Sequence, residues 1–187
     1  MCTELCGKKK GFTLIELVVF IVVVSVGLAG VLAALNMTTR NSVNPMILKQ
    51  QVAIAESLLE EIESKPFTYC DPDDPNVTTA TSTSGCTTAQ GLSPTSGESR
   101  YSQTVPFDHV GDYNGFSMTG IHSPTDANNS ITRLGNYSAS ITITQVGTAL
   151  GLADNTAALR IDVKVTAPTQ NSITLTGYRY RYAPNSP

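Results

Sequence analysis

The chain has 187 residues, a net charge of −3 and a charged-residue content of 14%. An acidic balance gives no electrostatic case for nucleic-acid binding, which needs a basic stripe, so no nucleic-acid partner is expected. A long apolar run near the N-terminus dilutes the charge, and the roughly 120–150 residues beyond it suffice for one small domain.

In chain order, three lysines, Lys8 to Lys10, precede Gly11-Phe12-Thr13-Leu14-Ile15-Glu16 and an apolar run to about Leu35. Between Phe12 and Leu35 the only charged side chain is Glu16. The run is long enough to span a hydrocarbon core as a helix. Its Leu, Ile, Val and Phe residues favour insertion by about −5 to −10 kcal/mol, against at most about 3 kcal/mol for one carboxylate near the end. Insertion wins. The lysines predict a cytoplasmic N-terminus and export of everything after Leu35. Two plainer readings compete. A cleaved secretory signal has a shorter apolar core, and Ala33-Ala34-Leu35 makes a poor cleavage site. A simple signal anchor fits the length but leaves Glu16 without a role, and an intramembrane acid is unfavourable unless paired.

The stretch from Gly11 to Glu16 after a basic leader resembles the class III signal of type IV prepilins and type II secretion pseudopilins. The resemblance implies cleavage between Gly11 and Phe12 by the prepilin peptidase, followed by N-methylation of Phe12. It also implies that Glu16 pairs with the Phe12 amine of a neighbouring subunit and sets the register of assembly. Loss of the leader, residues 1–11, takes away three lysines and Glu4 and moves the net charge from −3 to −5. Cys2 and Cys6 would leave with it.

Residues 12–43 read as a transmembrane and assembly helix. Ser25, Gly27 and Gly30 fit close helix packing, or a segment able to stretch on assembly. Related major pilins often carry a proline here, and this run has none. Asn44-Pro45 predicts a kink or the cap and first residue of a new helical stretch. Residues 44–66 form the amphipathic second half. Ile47 or Leu48, Val52, Ala55, Leu58 or Leu59, and Ile62 repeat at helical spacing. Glu56, Glu60, Glu61 and Glu63 read as a solvated face or as contacts to a neighbouring subunit. Lys65-Pro66 ends the helix. The stretch Asn44-Pro45-Met46 with Gln50 to Ile62 is similar to the D subunit of mannose-sensitive haemagglutinin (MSHA) pili, to V-type minor pilins and to I-type minor pseudopilins. Asn44 stands where an acid is expected.

Residues 67–187 are read as an exported, β-rich globular domain, with a Ser/Thr-rich loop over 71–100. Cys70 and Cys86 lie in an oxidising compartment on this reading, so a disulfide is expected, closing a loop worth about 3 kcal/mol in the chain-entropy model. A metal site would need His or further Cys partners, and His109 and His122 are distant in sequence. The acids of Asp71-Pro72-Asp73-Asp74 lack the glycine and spacing of a calcium loop. The Ser/Thr tract offers many glycosylation acceptors. Gln103 to Val105 reads as a short strand. Phe107 to Phe116 reads as an aromatic loop whose Phe107, Tyr113 and Phe116 pack, while Asp108, His109 and Asp112 serve as hydrogen-bonding turn residues rather than a catalytic or metal cluster. This loop also resembles the minor-pilin pattern. Three alternating strands follow, Tyr137–Thr144, Leu159–Val165 and Ser172–Tyr182. In the last, Tyr178, Tyr180 and Tyr182 are expected to face inward and Arg179 and Arg181 outward, or the tyrosines to form a ligand-stacking stripe.

The expected fold is α+β and pilin-like, a long N-terminal helix packed on a C-terminal antiparallel sheet. No hydrolase elbow, P-loop or zinc motif is present, so no enzyme, catalytic residue, cofactor or metal is expected. The expected function is that of a minor type IV pilin, MSHA-like, that initiates or tips a pilus used in adhesion or motility. The alternatives are a minor pseudopilin of a type II secretion system and a membrane-anchored periplasmic ligand-binding protein. Expected partners are other pilin subunits, the prepilin peptidase and the inner-membrane assembly platform. The expected location is the inner membrane, single-pass, then the filament.

Overall fold

The computed structural model describes residues 11–187, except Ser96, Thr169 and Gln170 and the side chains of residues 36–44. Lys8 to Lys10, Cys2 and Cys6 lie outside the described residues, as do the side chains of Asn41 to Asn44. The chain divides into two compact units between Met46 and Ile47. The first helix, α1, spans Leu14–Glu63 with Pro45 inside it. Helical assignment runs through Pro45, so no interruption of secondary structure falls at the expected kink.

In the first unit, Leu14–Leu35 is long and apolar enough to cross a membrane, and none of it is buried by the protein itself. That exposure of valines, leucines and isoleucines is unfavourable in water and favourable in lipid or against like helices.

The second unit is a helix on a sheet. Strands β1 (Ser117–Thr119), β2 (Ser138–Gln145), β3 (Ala158–Thr166) and β4 (Ser172–Tyr180) form an antiparallel sheet in the order β1-β2-β3-β4. The α+β class and the three long strands agree with the sequence. The short strand expected at Gln103 to Val105 does not form. There, the Ser102 hydroxyl takes the amides of Thr104 and Val105 in a local turn. The fourth strand is instead β1, three residues too short to show alternation.

Gln51, Ile54, Ala55, Leu58 and Ile62 make the buried stripe of α1, at the three- and four-residue spacing of one helix face. Ile54, not Val52, lies at the core, and Gln51 is buried because its amide donates to the carbonyls of Val165 (3.1 Å) and Asn171 (2.8 Å). The sheet's inner face supplies Ala139, Ile141 and Ile143 from β2, and Leu159, Ile161, Val163 and Val165 from β3. Each such side chain, fully buried, contributes about 1.5–3 kcal/mol. Gly177 of β4 lies where α1 approaches most closely. A Cβ there would meet Leu59 and the Glu63 carboxylate.

The inward tyrosines expected on β4 are reversed. Tyr178, Tyr180 and Tyr182 are exposed, whereas the Arg181 side chain is 8% exposed and Arg179 reaches the Lys65 carbonyl. Strand parity is the cause. Ile173 and Leu175 pack against the core, and period two carries Gly177, Arg179 and Arg181 onto that same face. The Arg181 guanidinium is accommodated over the rings of Phe67 and Tyr69, at 4.4 and 4.8 Å from their centroids.

Candidate functional site

At the N-terminal end of α1, the Thr13 carbonyl accepts from the amides of Glu16 and Leu17, and Thr13 Oγ1 lies 3.4 Å from the Glu16 amide. Thr13-x-x-Glu16 is thus a helix start, with its acid in the first turn, where the helix dipole favours negative charge. The Thr-x-x-Glu spacing in the sequence is the signal for this role of Thr13. Gly11, Phe12 and Glu16 are all exposed, Phe12 at 84%. Among the described residues the Glu16 carboxylate has no ion-pair partner. An acid on a helix of lipid-compatible side chains is unfavourable there unless it is paired.

In the second unit, Cys70 and Cys86 form a disulfide. Cys70 is fully buried in a small second core with Val77 and Ala80. The Ser/Thr-rich loop is therefore anchored, and its acids mostly build turns. Asp71 Oδ1 accepts from the Asp73 amide, and Asp74 accepts from the amides of Asn76 and Thr88. The backbone donation from Thr88 is the main reason the Asp74 pKa is lowered.

His109 and Asp112 act as the hydrogen-bonding turn residues expected of them, whereas Asp108 Oδ1 is buried with no hydrogen-bond partner among the described residues. His109 caps the short helical turn Val110–Tyr113, and Asp112 Oδ2 accepts from the His109 amide at 2.7 Å. Two amides face the His109 ring, Gly111 N at 2.9 Å from Nδ1 and Thr68 N at 3.1 Å from Nε2. A neutral imidazole has one acceptor nitrogen, so it accepts one of them at a time. Burial pushes the His109 pKa down to about 4, and burial raises that of Asp112 to about 7. Asp108 is raised to about 6 by burial and then by Glu98, Asp71 and Asp73. The fold gathers carboxylates that the sequence kept apart. Oxygens of Asp71, Asp73 and Asp108 lie within 4.8 Å of one another, as do those of Glu98, Asp108 and Asp112. These are the groups whose spacing would admit a hard cation. Much of the cluster is already committed internally, since Asp71 also accepts from the Thr95 hydroxyl and Asp112 from Gln90 and two backbone amides.

The glutamates of α1 do not all lie on a solvated face. Glu56 and Glu60 are exposed, but Glu61 takes both Arg100 Nε (2.8 Å) and Nη2 (2.6 Å), and its Oε1 also accepts from the Tyr113 hydroxyl at 2.9 Å. Burial opposes the Arg100 charge, and hydrogen bonding and Coulomb attraction from Glu61 outweigh it, so its pKa is raised. A signal existed. Arg100 is the one Lys or Arg between Lys65 and Arg133. Which acid it pairs with depends on the tertiary fold.

A family model for the prokaryotic N-terminal methylation motif matches residues 6–32. The match takes in Gly11, Phe12 and Glu16, and it supports the type IV pilin and pseudopilin class for this chain. A prepilin-type signal of this kind implies processing by the prepilin peptidase and assembly with other pilins. Together with the apolar span it fits a membrane-anchored, single-pass protein. No curated protein and no solved structure matches the chain.

Proposed function

We propose that this chain is a minor type IV pilin of the MSHA kind, cut between Gly11 and Phe12, N-methylated at Phe12, and incorporated near the start or tip of a filament. The leader, residues 1–11, stays in the cytoplasm. The apolar helix crosses the inner membrane, and the β-rich unit lies in the periplasm before assembly on the inner-membrane platform. In the filament, the Glu16 carboxylate pairs with the Phe12 amine of a neighbouring subunit. The observation that carries this reading is the methylation motif over residues 6–32, on an apolar helix whose lone acid has no ion-pair partner among the described residues. Low dielectric strengthens the pairing once the helices bundle. The role is structural, and the chemistry is done to the chain by the peptidase.

Mass spectrometry of the mature N-terminus tests the processing. N-methyl-phenylalanine at position 12 is expected, and an intact leader in cells with an active peptidase refutes the reading. Isolation of filaments tests assembly, where Glu16→Ala is cleaved normally but lost from the filament fraction.

A further inference from the structure

Four stretches of the chain read Asn-x-Ser/Thr without proline at the middle position, the acceptor pattern for N-linked sugar in exported proteins: Asn36 to Thr38, Asn76 to Thr78, Asn128 to Ser130 and Asn136 to Ser138. The fold separates them. Asn36 to Thr38 lies inside α1, where the backbone is helical. Asn76 donates through Nδ2 to Thr87 Oγ1, its carbonyl accepts from the amides of Thr79 and Ala80, and Val77 beside it is buried in the small core around Cys70. Asn136 is followed by the buried Tyr137 and by Ser138, which opens β2 and pairs with both Thr119 and Thr166. An enzyme that threads its acceptor through a groove meets helical, packed or paired backbone at each of these.

Asn128 differs. Between the bridged residues His122 and Ser130 the chain runs as a loop, and every residue from Ala127 to Arg133 is exposed. Among the described residues, neither the Asn128 side-chain amide nor the Ser130 hydroxyl has a hydrogen-bond partner. Two residues ahead, the Asp126 carboxylate accepts from Asn129 Nδ2 at 3.0 Å and from the backbone amides of Asn128 and Asn129 at 2.9 and 3.1 Å. Those bonds, the Asn129 side chain first, hold its pKa below the ordinary value, so it is ionised. One exposed loop therefore presents a carboxamide to be modified, a hydroxyl two positions on to register it, and a negative charge two positions before for a cationic groove to hold.

We propose that Asn128 is an acceptor for N-linked glycosylation, with the sugar supplied as an oligosaccharide on a membrane polyprenyl diphosphate. A bond forms between Asn128 Nδ2 and C1 of the first sugar. The bond from C1 to the diphosphate oxygen breaks, its electron pair leaves with the diphosphate, and one Nδ2 proton is released to solvent. The modification rests on export of the β-rich unit, which is part of the reading above, and is independent of filament assembly.

The test uses the full-length protein purified from the cells that encode it, with thiols alkylated at lysis. Trypsin frees residues 101–133, a peptide that holds Asn128 and none of the other three motifs. Electron-transfer mass spectrometry of that peptide is expected to place a sugar mass on Asn128. The Cys70–Cys86 disulfide in the same digest reports export. Asn128→Gln and Ser130→Ala should each lower occupancy of the peptide at least tenfold, and Ser130→Thr should keep it. Asn128 and Ser130 are exposed, so native melting of these variants is expected. Bare Asn128 in disulfide-bonded protein overturns the proposal and leaves the export reading standing, whereas bare Asn128 with reduced cysteines overturns both. A sugar mass that persists on the peptide in Asn128→Gln, or undiminished occupancy in Ser130→Ala, would also overturn it.

Discussion

Replacing Glu61 by alanine should be among the most damaging single changes in the β-rich unit. The Arg100 side chain is 3% exposed and that of Glu61 22%, and the two are joined by a pair of charge-assisted hydrogen bonds. Removing the carboxylate leaves a guanidinium in the interior with the His122 carbonyl as a remaining partner, and deprives the Tyr113 hydroxyl of its acceptor. Breaking a buried ion pair from one side costs about 3–5 kcal/mol. That is a large share of the roughly 5–15 kcal/mol that holds a domain of this size folded. Urea unfolding of the full-length protein in micelles, followed by near-UV circular dichroism, measures it. The double variant Glu61→Leu with Arg100→Met should recover most of the loss, because neither charge is then buried alone. A loss below about 1 kcal/mol for Glu61→Ala would show that the pair is solvated and behaves like a surface bridge, and the reasoning would fail.

Four further outcomes are expected. Cys70→Ser with Cys86→Ser should lower stability by about 3 kcal/mol in the chain-entropy model, and reductant should lower the wild-type melting temperature but not that of the variant. Ile161→Ala, at a fully buried site in the middle of β3, should cost about 2–5 kcal/mol in the same unfolding assay. Gly177→Val should destabilise by about 1–3 kcal/mol through overpacking against Leu59 and Glu63; unchanged stability would mean that α1 and β4 are not closely apposed.

The fourth concerns pH. With folded-state values of about 7 for Asp112 and about 6 for Asp108, both above the ordinary carboxylate value of 3.8, the unfolded chain ionises first as pH rises. Stability from these groups is present at low pH and falls as pH climbs, until Asp112 has ionised near 7. His109, lowered from 6.5 to about 4, acts oppositely, withdrawing stability as pH drops from 6.5 to 4. The two carboxyls outweigh the one imidazole, so the melting temperature should fall from pH 5 to pH 8. Asp112→Asn should make that slope shallower, and an unaltered slope would remove Asp112 as its source.

How much of this was legible beforehand varies by element. The strands at Ser138–Gln145 and Ala158–Thr166 alternate over eight residues or more, and alternation reports which face is apolar without any knowledge of partners. The orientation of β4 was also written in the chain, through the parity of Ile173 and Leu175. The aromatic character of Tyr178, Tyr180 and Tyr182 misled, because tyrosine is stable on either face of a sheet. Position β1 was not legible, since three residues carry too little pattern and its pairing partner lies at Ser138–Ser140. The Glu61–Arg100 pair was not legible either, because helical spacing tells which glutamates lie together and is silent on which one meets a distant cation.

By itself the sequence determined an apolar, membrane-length helix preceded by a processing motif, a lone acid at its start, and an α+β order of elements. All of these are local properties, set by hydropathy and period along neighbouring residues. Tertiary structure alone decided that Glu61 is sequestered, that Asp71, Asp73 and Asp108 converge, and that Gln90 and Arg181 line one cavity. Those arrangements join stretches between 35 and 91 positions apart, and the free energy that selects them comes from burying one surface on another, which no single stretch of the chain contains.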